Sequence, residues 1–280
     1  MTRVAIVGGG ETGSLLAHVL ARRHIASDIC LIDDNGRAAE GKALDLTQAA
    51  PIERFAAAIS GSADLSLVAG AQVVAVADPF AANPRHVDNA LLLLKRIRDF
   101  APAALIVCTS AADCDVIGRA VREQHASRSR LIGSAPEALV GGVRALAAIE
   151  LAAAPSDISL SVLGVPPDHI VIPWEDATVR GLSMIRFLSE SARRRLDARA
   201  AAVWPPGPYA LAAAAGKVID AAVAGLRRLV ACFIAPDDSA GLRARTAALP
   251  VRVGPAGVLE IAVPELNARE RVRLENAMML

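Results

Sequence analysis

The chain has 280 residues, 54% of them hydrophobic and 21% charged, which is enough apolar material for a large core and excludes a disordered chain. Thirty Lys and Arg stand against 29 Asp and Glu, for a formal net charge of +1, so nucleic acid and anionic membrane are not expected partners. The four cysteines (Cys30, Cys108, Cys114 and Cys232) show no CxxC spacing and no paired histidines, which speaks against zinc and for reduced thiols in a cytoplasmic setting.

Residues 3–7 form a short apolar run that ends in glycines, the pattern of a parallel strand buried on both faces. Helical spacing follows over 13–23, then an apolar run over 29–32 that closes on Asp33 and Asp34. A helix is predicted over 37–46, a strand over 73–77, a helix over 87–100, a strand over 105–108, a helix over 116–124 and a short strand over 130–132. Alternating strands and helices mean parallel strands joined by crossover helices, hence a Rossmann-type doubly wound sheet.

The second half changes character. A helix over 144–153 leads to strands over 158–163, 170–172 and 251–253, with an alanine-rich helix over 209–229 between them and a charged helix over 267–277 at the end. This reads as an α+β domain over 146–280 following a dinucleotide-binding domain over 1–145. Arg193, Arg194 and Arg195 form the densest basic cluster and read as a solvated helix face. Aromatics are only 3%, so thin, alanine-rich helices should pack closely. No stretch reads as a membrane span, because prolines 205, 206 and 208 break the longest uncharged one, and the N-terminus opens into a strand rather than a signal peptide.

The first strand runs into Gly8-x-Gly10-x-x-Gly13. Gly8 makes the tight turn, Gly10 lets a pyrophosphate approach the backbone, and Gly13 lets helix and strand pack closely. Glu11 and Thr12 lie in the same turn, at a helix end whose free N–H groups and dipole favour phosphate. Asp33 ends the second strand where an acidic side chain accepts the ribose hydroxyls of NAD and repels the extra phosphate of NADP; Asp34 is the alternative.

With these residues in view, the segment Gly8 to Gly13, then Leu31-Ile32-Asp33, then Gly41-Lys42-Ala43-Leu44-Asp45-Leu46 resembles the lactate/malate dehydrogenase superfamily, nearer the malate dehydrogenases. The resemblance continues through Val162-Leu163-Gly164, Val171 to Trp174, Gly181-Leu182, Tyr209 to Ala214 and Val251 to Ile261. It implies NAD as cofactor, hydride transfer from a 2-hydroxy acid, and a homo-oligomer, dimer or tetramer. It also implies a histidine base, an aspartate that orients it, an arginine fork for the substrate carboxylate and a second arginine on a mobile loop.

These catalytic positions are occupied by other residues. The resemblance sets Pro166 at the histidine, Leu139 at the aspartate and Gly142 at the arginine. Proline can neither give nor take a proton. Arg144 lies two residues on, about 200° around a helix, and should face away. Glu137 does not restore the aspartate. The loop keeps only Asp78, two prolines and Arg85, and Pro205-Pro206 replaces a substrate-side Gly-Ser. No group is expected to anchor a carboxylate. Besides a purely structural oligomer partner without any ligand, two functions remain in view. One is an NAD-binding relative without dehydrogenase activity, serving as sensor, scaffold or subunit, with a protein partner. The other is an active oxidoreductase on a different substrate, with Asp78, Arg85, Thr109, Ser110, Asp168 and His169 as a replacement polar site.

Overall fold

The computed structural model describes residues 2–77, 86–225, 228–236 and 245–279. In its first half six strands alternate with helices: β1 (Arg3–Val7), α1 (Glu11–Arg22), β2 (Asp28–Ile32), α2 (Gly36–Glu53), β3 (Ala58–Ser62), β4 (Val73–Val76), α3 (His86–Phe100), β5 (Leu105–Cys108), α4 (Asp113–Gln124) and β6 (Leu131–Gly133). They pair in parallel in the order β3-β2-β1-β4-β5-β6, the order of a Rossmann sheet. The apolar runs read as strands are those buried on both faces, and crossover helices cover the two sides.

The second half contains α5 (Ala135–Leu151), β7 (Ile158–Ser159), β8 (Leu163–Val165), β9 (His169–Val171), β10 (Thr178–Val179), β11 (Leu182–Ser183), α6 (Glu190–Ala202), α7 (Pro208–Ala224), β12 (Leu229–Ile234), β13 (Ala247–Gly254), β14 (Gly257–Ile261) and α8 (Ala268–Met279). Its antiparallel strands extend the same sheet: β12 pairs with β6, and β13, β8 and β9 follow. Residues 145 and 146 lie inside α5.

Several elements depart from the sequence reading. Helix α5 begins at Ala135, nine residues before the expected start, with Pro136 in its first turn. The run 158–163 splits into β7 and β8, which belong to different sheets. Helix α7 stops at Ala224 because Gly225 takes a left-handed φ of 61°, and the rest of the expected helix yields to strand β12. Strand β3, half-exposed at the sheet edge, was not expected at all.

Close helix packing is real. Helix α7 buries Ala212, Ala214, Ala215, Ala221 and Ala222, and a Cβ on Gly216 would come within 2.6 Å of Val19 Cγ1 on α1. Arg194 and Arg195 pair with Glu190 and Glu150 on exposed surface, as a solvated helix face should. Cys30, Cys108 and Cys232 are buried and all four cysteines are free. Among the described residues no helix is long and apolar enough to cross a membrane.

Candidate functional site

The glycine turn sits at the C-terminal end of β1, next to the point where the strand order reverses between β1 and β4. Gly8 has φ of 105°, open to glycine and strained for other residues, and its N–H donates to Ile32 O at 2.8 Å. Gly13 lies so close beneath it that a Cβ would stand 1.9 Å from Gly8 O. Gly10 is the N-cap of α1 and provides no side-chain cap, so that helix end is open to an anionic ligand. Glu11 is exposed there, whereas Thr12 is buried.

Asp33 is fixed on both sides. Its Oδ2 accepts the Gly9 N–H at 2.7 Å and its Oδ1 accepts the Asn35 N–H at 2.9 Å. A carboxylate has about four acceptor sites, so two remain for the hydroxyls of a ribose. Asp34 is exposed beside it. A residue that sequence reasoning left without a role completes this end: Lys42 of α2 donates its ammonium to Gly9 O and also lies 3.4 Å from Gly10 O. The Gly9 peptide unit is thus held from one side by Asp33 and from the other by Lys42. Glycines, open helix end, ribose acceptor and nearby cation fit a dinucleotide. The signal for Lys42 was only its place in the Gly41 to Leu46 segment.

At the positions that the resemblance pairs with catalytic residues, the structure shows packing. Leu139 is fully buried in an apolar cluster with Val143, Val162 and Ile170. Pro166 is buried at the tip of the β8–β9 hairpin. Gly142 faces Val203, whose Cγ2 would lie 3.3 Å from an added Cβ. Arg144 donates through Nε and Nη2 to Pro155 O at 3.2 and 2.8 Å, so its guanidinium fastens a neighbouring turn. Glu137 is 7% exposed, ion-paired to Lys217 of α7, and accepts the Ala231 N–H at 2.8 Å; it ties α5, α7 and β12 together.

The replacement polar residues fall into two groups. Thr109 and Ser110 follow β5. Thr109 is fully buried and its hydroxyl has no partner, whereas Ser110 accepts the Ala112 N–H at 3.2 Å and donates its own N–H to Asp113 at 2.7 Å. Asp168 and His169 lie on the β8–β9 hairpin, exposed and half-exposed. No hydrogen bond joins the two groups among the described residues. Asp78 and Arg85 lie outside the described residues. Burial raises the Cys114 thiol to about 12, with Asp115 adding to the effect, and lifts Cys108 and Cys232 well above the ordinary thiol value, so none is a ready nucleophile. No group of three or more metal-ligating side chains occurs among the described residues.

Comparison with known proteins agrees with this geometry. Residues 2–87 match the family model described as lactate/malate dehydrogenase, NAD binding domain. The malate dehydrogenase of Dehalococcoides mccartyi is 27% identical over 293 residues, covering 98% of this chain and 95% of that protein. That of Thermomicrobium roseum is 28% identical over 295 residues, covering 98% and 94%. Among solved structures, the lactate dehydrogenase of Cryptosporidium parvum complexed with lactic acid and nicotinamide adenine dinucleotide superposes with a TM-score of 0.92 at 19% identity, covering 99% of this chain and 95% of that one. The malate dehydrogenase of Salinibacter ruber gives 0.89 at 21% identity, covering 99% and 94%. The chain is lactate/malate dehydrogenase-like, nearer the malate dehydrogenases, and carries that superfamily's NAD-binding domain.

Proposed function

We propose that this protein binds NAD(H) at the glycine turn and does not oxidise malate or lactate, serving instead as a sensor, scaffold or subunit. The observation that carries the reading is Pro166, a side chain without a titratable proton where the resemblance sets the general base. Leu139 and Gly142 support it, because neither can orient a base or fork onto a carboxylate. The chain has five histidines. His18, His24, His86 and His125 lie on or at the ends of α1, α3 and α4, and His169 on the hairpin has no hydrogen-bonded carboxylate among the described residues. Exposed Leu44 and Ile52 on α2 support a homo-oligomer, dimer or tetramer, whose size light scattering reads.

Titration with NADH and a malate and lactate turnover assay test the reading together. NADH binding without turnover is expected. Turnover that scales with protein and disappears in Gly10→Arg would overturn it. One observation favours the second reading, an oxidoreductase on another substrate: the unpartnered Thr109 hydroxyl at the end of β5. Hydride transfer to NAD from a non-acidic alcohol, lost in Thr109→Val, would establish that reading.

A further inference from the structure

A cavity of about 440 Å³ opens at the opposite end of the sheet from the glycine turn. Its floor is Val73 and Leu105, the first residues of β4 and β5. Its walls are the loops that lead into those strands, the last turn of α7 at Ala222 and Val223, and the β13–β14 turn at Gly254 and Pro255. Val73 pairs with Val4 and Val76 with Val7, after which the glycine turn begins. A strand rises about 3.3 Å per residue, so the two places lie roughly 13 Å apart along β4.

Among the described residues no ionisable side chain lines this cavity, and Gln72 contributes the one polar side chain. The backbone of the walls is already engaged. The Gln72 N–H donates to Arg3 O at 3.0 Å, Gln72 O accepts the Leu105 N–H at 3.0 Å, and the Ala104 N–H donates to Ala101 O at 3.1 Å. A charge placed here would lose water and gain no partner. Val73, Leu105 and Ala222 are at most 2% exposed, so the floor belongs to the packed core, while Phe100 stands on the rim with 43% of its surface exposed. A Cβ on Gly70 would meet nothing within 4 Å, so that wall is open space.

We propose that this cavity binds a small, neutral, apolar ring compound, packed against Phe100 and separate from the dinucleotide. An apolar cavity of about 150 Å³ holds benzene, so 440 Å³ accommodates a molecule of two fused rings. Fourteen described residues line it, against about 20–30 a side in a stable protein interface, which favours a small molecule over a protein partner.

Calorimetric titration with indole and with indole-3-acetate, each with and without saturating NADH, tests the assignment. Indole has two fused rings and no charge, and indole-3-acetate adds a carboxylate to the same ring system. Indole should bind saturably, indole-3-acetate at least about tenfold more weakly, and NADH should leave the indole affinity unchanged. Phe100→Ala should weaken indole about three- to tenfold, the effect of losing one aromatic pair. Ala103→Trp, at an exposed position of the lining, should fill the cavity and abolish binding in a protein that still melts cooperatively. Absence of saturable indole binding, equal affinity for the two compounds, unchanged affinity in both variants, or displacement by NADH would overturn the proposal. Displacement would place the ring in the dinucleotide site instead. The outcome is independent of whether malate or lactate is turned over.

Discussion

Gly13→Ala is the sharpest test of the dinucleotide end. A Cβ there would sit 1.9 Å from Gly8 O, 3.1 Å from Gly8 C and 3.4 Å from Ile6 Cγ2. The first contact is with backbone, so no rotamer change relieves it and α1 must move off β1. Overpacking of this kind costs about 1–3 kcal/mol, and the better helix propensity of alanine returns about 1 kcal/mol. The net loss is up to about 2 kcal/mol, a fall in Tm of up to roughly 8 °C for a protein of this size. Gly141→Ala is the matched control. It is the same chemical change inside a helix, but nothing lies within 4 Å of the new Cβ, so stability should rise by up to about 1 kcal/mol. Displacing the α1 N-terminus should also weaken NADH by at least about tenfold, while Gly141→Ala leaves it unchanged. Thermal melts and NADH titration of the two variants read both effects. A Gly13→Ala protein as stable as the Gly141→Ala protein, with wild-type NADH affinity, would refute the reasoning.

Lys42→Met removes the cation bonded to Gly9 O, so NADH affinity should fall about tenfold and its salt dependence should flatten; equal affinity at low and high salt in both proteins contradicts this. The thiols of Cys108, Cys114 and Cys232 are raised by burial, so the unfolded chain releases protons near pH 8.5 that the fold retains. Their contribution is whole below that pH and is lost as pH rises toward the folded values, by up to about 4 kcal/mol per pH unit. Urea unfolding across alkaline pH should show that slope reduced in Cys108→Ala, and a flat profile in both proteins argues against it. Glu137→Ala strands Lys217 and the Ala231 N–H and should cost about 3 kcal/mol in urea unfolding, whereas a loss under about 1 kcal/mol means that the pair is not structural. Leu139→Asp should cost at least about 3 kcal/mol, and adding Pro166→His should recover part of it; strict additivity in the double-mutant cycle shows that the two positions do not meet.

The parallel strands were legible because β1, β2, β4 and β5 are buried on both faces and read as continuous apolar runs. Strand β3 was not, because its sequence Ala-Ile-Ser-Gly-Ser is small, polar and half-exposed, and it is held by backbone pairing with β2 that leaves no side-chain pattern. Helix α7 ends at Gly225, whose left-handed turn interrupts an apolar run that the sequence pattern continues to Leu229, where strand β12 begins. Glycine spacing and Asp33 gave the dinucleotide turn directly. Lys42 could not be found that way, because a contact spanning 33 residues depends on how α2 crosses the sheet.

What separates the two ends of this molecule is the part that solvent plays in each. The glycine turn works through backbone: Gly8, Gly9 and Gly13 set its shape, and Asp33 and Lys42 hold it, so its geometry persists whatever the protein acts on. A hydroxy-acid site needs charged side chains held in a closing pocket, which is costly unless each is paired. In this chain the positions that the resemblance pairs with such groups lie in or against the core. Leu139 packs with Val162 and Ile170, Pro166 is buried, and Val203 lies against Gly142. Where the resemblance sets ionisable groups that need partners, these residues make apolar contacts that need none. Leu139 and Gly142 both sit on α5. The charges of α5 are bonded to protein groups: Glu137 to Lys217 and the Ala231 N–H, Arg144 to Pro155 O, and Glu150 to Arg195. The proposed dinucleotide binding therefore stands independently of catalysis, because binding needs only the glycine turn and the side chains bonded to it, while catalysis needs a base, its orienter and the substrate in one register.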